Sequence, residues 1–291
     1  MENIYVSLVK ELPELERHCK GEKPLIEHAV ASRLLCLCFG WEWYERTIAF
    51  QDNADEWMHN LKGDTSENRV LYTRRVIQLG DAVFTLLKTN FKGGDILKQR
   101  FLTRPIKPCF AETEIAGLLA YNGYQVEVIG ESGVRGEDFD LAASKDGVTL
   151  SIEITAKEDG PLTVQNILNT LKYKRTQVPS HRPAVLYLRI PSEWMAEPDK
   201  NRAIFTEAFQ EFSRTSRRFN AYILTWENLV PFLNGAFLSS YMQPCYNHNA
   251  RHPYSPSHLL TPIPSSDGRV QTTYSFLDWL RTIQSKTVTS G

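Results

Sequence analysis

The chain has little net charge, few sulfur-containing residues and no long apolar run. No stretch approaches the ~20 apolar residues that a membrane-spanning helix requires. The opening residues, Met1 to Lys10, lack a basic segment followed by an apolar one. A cytoplasmic location and no membrane partner are therefore expected. The five cysteines, Cys19, Cys36, Cys38, Cys109 and Cys245, form an odd and scattered set, which points to buried free thiols and not to a disulfide framework. With 33 basic and 34 acidic residues the net charge is −1, which excludes a broad positive field, so any nucleic-acid contact must use a local basic patch. Walker-type lysine loops are absent, and Gly130-Glu131-Ser132-Gly133 fits neither a dinucleotide fingerprint nor a nucleophile elbow. Cys245, His248, His252 and His258 lack a Cys-x-x-Cys pair and are interrupted by Pro253 and Pro256, which argues against zinc.

What is present is an ordinary globular composition. With 291 residues, 42% of them hydrophobic, the chain can bury a sizeable core, and its length suggests about two domains. The first hundred residues read as helical, with segments near Tyr5 to Cys19, Leu25 to Phe39 and Val70 to Leu87. Breakers at Lys92-Gly93-Gly94-Asp95 and Arg104-Pro105-Ile106-Lys107-Pro108 place a boundary between about Asn90 and Pro108. The periodicity then changes. Glu112 to Asn122 reads as a helix. Three strand-like runs follow, Tyr124 to Ile129, Asp138 to Ala143 and Val148 to Thr155, the last two joined by the hairpin signal Lys145-Asp146-Gly147.

Val164, Ile167, Leu168 and Leu171 mark one face of a helix ending near Val178. Ala184 to Ile190 reads as a buried strand, Phe205, Ala208, Phe209 and Phe212 as another helix face, and Ala221 to Leu224 as a short fifth strand. The expected domains are a helical 1–100, an α/β 101–243 and an irregular extension, 244–291, whose helical part is Tyr274 to Ile283.

One residue in this pattern is out of place. Glu153 lies between Ile152 and Ile154, so strand alternation turns the isoleucines one way and the acid the other. Asp140 ends the polar run that opens the preceding strand. Two carboxylates on adjacent strands can converge on a hard divalent cation, which prefers oxygen ligands and keeps several waters.

The series Glu112, Gly123-Tyr124, Asp140-Leu141 and Ile152-Glu153-Ile154 resembles the PD-(D/E)XK nuclease superfamily, especially Holliday-junction resolvases and Mrr-like restriction enzymes, over about a hundred residues. The resemblance implies an αβββαβ core with a mixed central sheet. It also implies Mg²⁺ (or Mn²⁺) at Glu112, Asp140 and Glu153, and hydrolysis of DNA in restriction, repair or mobile-element biology. The family's lysine, two residues beyond the second acid, is replaced here by Thr155. Lys157, on the same strand face, is the first choice for the missing amine, and Lys172, on the following helix, the second. Lys172, Lys174, Arg175 and Arg182 form the basic cluster expected to meet nucleic-acid phosphates, with DNA the preferred partner and RNA or a homodimer left open. Thr155 also keeps alive an alternative: a nuclease-derived binding module that recognises nucleic acid, a nucleotide or a protein without cleaving.

Overall fold

The structure is a computed structural model that describes residues 2–49, 56–59, 65–89, 91–157, 160–232, 235–254, 263–264, 270–271 and 273–289. Its amino-terminal part is helical: α1 (Glu2–His18), α2 (Lys23–Phe39), α3 (Trp41–Thr47), α4 (Glu56–His59) and α5 (Ser66–Thr89). Two more helices, α6 (Gly94–Thr103) and α7 (Ile106–Tyr121), occupy the region that its glycines and prolines mark as a linker. Those breakers sit where helices tolerate them: Gly93 takes a left-handed φ of 75° as the N-cap of α6, Pro105 is the N-cap of α7 and Pro108 falls in its first turn.

Strands β1 (Gln125–Val128), β2 (Leu141–Lys145) and β3 (Val148–Ala156) form an antiparallel meander. The β2–β3 turn is the expected hairpin, with Asp146 and Gly147 both at positive φ, 50° and 77°, as a two-residue primed turn requires. Helix α8 (Val164–Lys174) leads to β4 (Ala184–Arg189), and α9 (Pro198–Thr215) leads to β5 (Phe219–Phe232), which pairs with β6 (Gly235–Tyr246). The strands form one mixed six-stranded sheet in sequence order, with β3–β4 and β4–β5 parallel and the other pairs antiparallel.

The expected short fifth strand is instead half of a long hairpin. Pro231 and Pro244 weigh against strand, yet Pro244 lies on β6, at the sheet's edge, where a missing N–H can be tolerated. The carboxy-terminal region also departs from an irregular extension. A small pair, β7 (Ile263–Pro264) with β8 (Val270–Gln271), precedes α10 (Phe276–Thr289), and Phe276, Leu277 and Leu280 of α10 complete the amino-terminal core around Leu8, Leu34 and Phe84.

Both faces of the sheet are covered. Leu150, Ile152, Ile154, Val185 and Tyr187 face α7, while Ala184, Leu186 and Leu188 on the alternate positions face α8 and α9. Every residue of β4 is therefore buried, as expected of a parallel strand with helices on both sides. Helix α7 is itself enclosed: Ile106, Cys109 and Phe110 join the helical core and Ala111, Ile115 and Leu119 join the sheet.

Glycines set the closest helix approach. A Cβ placed on Gly80 of α5 would lie 2.5 Å from the Ala31 Cβ of α2 and 2.9 Å from its Cα, so neither backbone can yield without moving its helix. Gly80→Ala is expected to cost about 1–3 kcal/mol by overpacking. Combining it with Ala31→Gly should recover part of that loss, with a coupling of about 0.5–3 kcal/mol in a double-mutant cycle read by denaturant melts. Simple additivity of the two changes would show that this crossing is not the constraint.

Candidate functional site

A cleft of about 510 Å³ opens where α6, α7, the entry to β2, the end of β3 and the end of α8 meet, lined by Arg100, Arg104, Glu112, Asp140, Thr155 and Lys174 among others. Asp140 sits one residue before β2 and extends its ladder: its N–H donates to the Ile152 carbonyl at 3.1 Å and its own carbonyl accepts from Ile129 at 2.9 Å. Because Leu141 pairs with Ile152, Asp140 stands opposite Glu153, and antiparallel partners project from the same face. The backbone N–H of Ile154 donates to Asp140 Oδ2 at 2.7 Å, which orients the carboxylate.

Glu153 is 1% exposed. The sequence treats this acid as turned away from the core, but the face it occupies lies under α8, so leaving the isoleucine face does not bring it to solvent. Lys174 Nζ donates to its Oε1 at 2.5 Å, and its Oε2 is buried without a hydrogen-bond partner. Glu112 reaches the cleft from α7 and accepts from Arg100 Nη1 at 2.5 Å. Arg100 in turn donates to the Ile129 carbonyl at 2.7 Å. Arg104 lies 3.9 Å from Glu112 and also pairs with Glu131 at the rim.

The structure thus brings Glu112, Asp140 and Glu153 within electrostatic reach of one another, but the amine beside them belongs to Lys174. Lys157 follows the end of β3, and its ammonium turns to Thr170 Oγ1 at 2.8 Å and Asn166 Oδ1 at 3.3 Å on α8. Lys172 is exposed and does not line the cleft. Lys174 lies three residues after buried Leu171 and Lys172 four after buried Leu168, so the two leave the apolar stripe by opposite edges, and the edge that carries Lys174 is the one that meets Glu153 of β3. The sequence sets both lysines beside the stripe without telling which edge meets the acids, and Arg100, three residues after buried Leu97, carries a similar signal.

The remaining expected residues serve other contacts. Arg182 donates to Ser151 Oγ at 2.7 Å and covers the Phe139 ring. Arg175 lies over Phe212 and lines a different cleft. Glu114, a neighbour of Glu112 on α7, pairs with buried Arg189 at 2.7 Å. Asp138 folds the preceding loop: the backbone N–H groups of Ser132 and Gly133 and the Ser132 hydroxyl all donate to Oδ1.

Three carboxylates in little water disfavour full ionisation. Burial, then the neighbouring Asp140 charge, pushes Glu112 up to about 7 against the pull of Arg100. Burial and Asp140 likewise raise Glu153 well above its ordinary value, with Lys174 opposing, and burial raises Asp140 itself. Burial alone would lower Lys174, but Glu153 and Asp140 hold it above its ordinary value. The ammonium therefore stays charged, and it faces two acids whose protonated forms burial favours.

Among the described residues, no group of three or more His, Cys, Asp or Glu side chains is arranged to hold a metal ion. Asp140 and Glu153 remain a two-carboxylate set, and Mg²⁺ is commonly held by one or two carboxylates plus water and phosphate oxygens. The unpaired Glu153 Oε2 fits such an ion, which would give it a partner. Glu112 is the least free of the three, being held by Arg100.

The raised acids have a consequence for stability. Between about 4.5 and about 7 the folded state holds protons that the unfolded chain has released, so unfolding free energy falls as pH rises through that window, by at most about 1.4 kcal/mol per pH unit for each group. In urea melts at pH 5, 6, 7 and 8, the stability of the native chain should decline relative to Glu112→Gln between pH 5 and 7 and run parallel to it above. A constant difference across the series would show that Glu112 does not titrate there.

Comparison of the chain with protein-family models, with curated proteins and with solved structures returned no match, so a functional reading rests on the residues of the cleft.

Proposed function

We propose that this cleft hydrolyses phosphodiester bonds of DNA with Mg²⁺ or Mn²⁺ held by Asp140 and Glu153, as a nuclease of the PD-(D/E)XK type. The observation that carries the reading is convergence: acids from α7 and the entry to β2 line the cleft with an amine from α8, and that amine is ion-paired to buried Glu153 of β3, at one end of a sheet whose elements run αβββαβ. In this reading Lys174, which lines the cleft and pairs with Glu153, supplies the amine that the family pattern puts at Thr155. Its ammonium, already beside Glu153 Oε1, orients the attacking water and faces the charge that develops on the phosphate. When bound, the cation polarises the phosphate and lowers the pKa of a coordinated water. Carboxylates hold a cation only when ionised, so a proton held by either acid would be released on binding, and affinity would strengthen as pH rises. Arg104, a third exposed on its side chain, stands at the mouth for a flanking phosphate.

One observation favours the second reading, a non-cleaving binding module. Lys174–Glu153 and Arg100–Glu112 are both 2.5 Å ion pairs, so two of the three acids already have an internal cation.

Supercoiled, linear, single-stranded and branched DNA should be nicked or cut only with Mg²⁺ or Mn²⁺. Asp140→Asn should abolish cutting, and Lys174→Ala should slow it by about 10²–10⁴-fold, with partial recovery in Lys174→Ala/Thr155→Lys. Lys157→Ala should stay within a few fold of the native rate. Absence of metal-dependent product on every substrate at micromolar protein, together with no Mn²⁺ uptake by calorimetry, would replace this reading with the binding module.

A further inference from the structure

A second cleft, of about 560 Å³, lies beside the first, and where the first mixes acids and cations this one is strongly basic. Arg135, Arg175, Arg217, Arg218 and Arg251 line it, against the single carboxylate of Glu137. Among the described residues none of the five guanidiniums is ion-paired. In a chain of net charge −1 this concentration is costly and calls for a cause. Some of it serves helix ends, since Arg175 caps the C-terminus of α8 and Arg217 and Arg218 follow that of α9. Two helix C-termini supply only about half a negative charge each. With Glu137 counted, roughly three positive charges remain unanswered.

Two further observations point to a ligand. Burial, and then the like charges of Arg251, Arg175 and Arg135, pushes the Arg218 guanidinium below its ordinary value, so the arginines face a common space closely enough to repel. Ser216, 4% exposed, also lines the cleft, and its hydroxyl is buried with no hydrogen-bond partner. Guanidinium forks and a spare hydroxyl match the oxygens of phosphate. Among the described residues no Phe, Tyr or Trp lines the cleft, and His181 is its one ring on which a base could stack, so recognition there falls mainly on the backbone.

The two clefts are built from alternate residues of the same segments. Gly133 and Asp138 line the acidic one and Arg135 and Glu137 the basic one; Lys174 and Gln177 line the first, and Arg175 and Thr176 the second. We propose that the arginine cleft is a phosphate-binding site that anchors the backbone of a nucleic-acid strand whose neighbouring segment crosses the acidic cleft. It names the substrate contact for the nuclease reading and rests on it for the second half of that statement only.

The test measures binding without cutting. Anisotropy of labelled single-stranded DNA, single-stranded RNA and duplex DNA 20-mers is followed in EDTA between 50 and 300 mM salt (a range of roughly sixfold, chosen to resolve the counterion slope). The triple variant Arg135→Ala, Arg217→Ala, Arg251→Ala alters exposed side chains and should melt like the native chain. It should bind at least about tenfold more weakly and lower the log–log salt slope by about 2, since each phosphate contact contributes about 0.7–0.9. The corresponding triple change to lysine should keep most of the slope, and Lys10→Ala, Lys20→Ala, Arg46→Ala, in exposed positions elsewhere, should change little. Equal weakening by that control, unaltered binding by the arginine triple, or no oligonucleotide binding by the native chain would overturn the inference. So would tight uptake of inorganic pyrophosphate without oligonucleotide binding. A native chain that binds in this way yet never cuts with Mn²⁺ would refute the nuclease reading and leave the anchoring site standing; one that cuts, with cutting and binding untouched in the arginine triple, would do the reverse.

Discussion

Burial of α7 on all sides is the constraint from which most of this molecule follows. A helix shared by two cores has no face to give to solvent, yet Glu112 and Glu114 occupy it, both almost fully buried. An isolated buried carboxylate is untenable without a partner, and each acid has met a guanidinium: Glu112 that of Arg100 and Glu114 that of Arg189. Arg189 also pairs with Glu227 at 2.6 Å, and Gln78 of α5 donates to the same carboxylate, so one guanidinium ties α7, β4, β5 and, through Gln78, α5. Such networks add little net stability, but removing one member leaves an uncompensated charge at a cost of about 3–5 kcal/mol. They limit α7 to a position in which both acids are answered.

The same shortage of water makes the acidic cleft chemically unusual. Where a carboxylate is desolvated beside another, the proton is retained above the ordinary range, and the group becomes a proton store or a waiting cation ligand. Lys174 moderates this without cancelling it, since one ammonium faces two acids. Immediately across the Gly133–Asp138 loop the sign reverses, and five guanidiniums meet one carboxylate. A nearly neutral chain thus carries a sharp local dipole, which charge totals cannot reveal.

Much of the fold was legible in the sequence because period and punctuation survive tertiary context. The αβ order after residue 106, the Asp146-Gly147 turn and the buried β4 all follow from alternation, turn residues and apolar runs. The β5–β6 hairpin was read only as a short strand at Ala221 to Leu224, although Asn234-Gly235 is a strong turn signal. Helix α6 was missed because its capping glycine reads as a breaker. At the site, Asp140 and Glu153 stood out as acids in strand context; Lys174 was read only as one of a phosphate-binding cluster, and neither it nor Arg100 was set beside the acids, because a helix cation resembles an ordinary surface charge until its partner is known.

By itself, then, the sequence determined the alternation of helices and strands, the hairpin that sets Asp140 opposite Glu153, and the absence of any apolar segment able to cross a membrane as a helix. These depend on neighbours within a few residues or one turn. Only the tertiary structure decided that Glu153 is buried, that its amine comes from Lys174 and not Lys157 or Lys172, that α10 closes the amino-terminal core, and that arginines from four separate segments share one cleft. Each depends on which surfaces meet after packing, and the free energy of a charge is set by the water and partners around it, which no local pattern specifies.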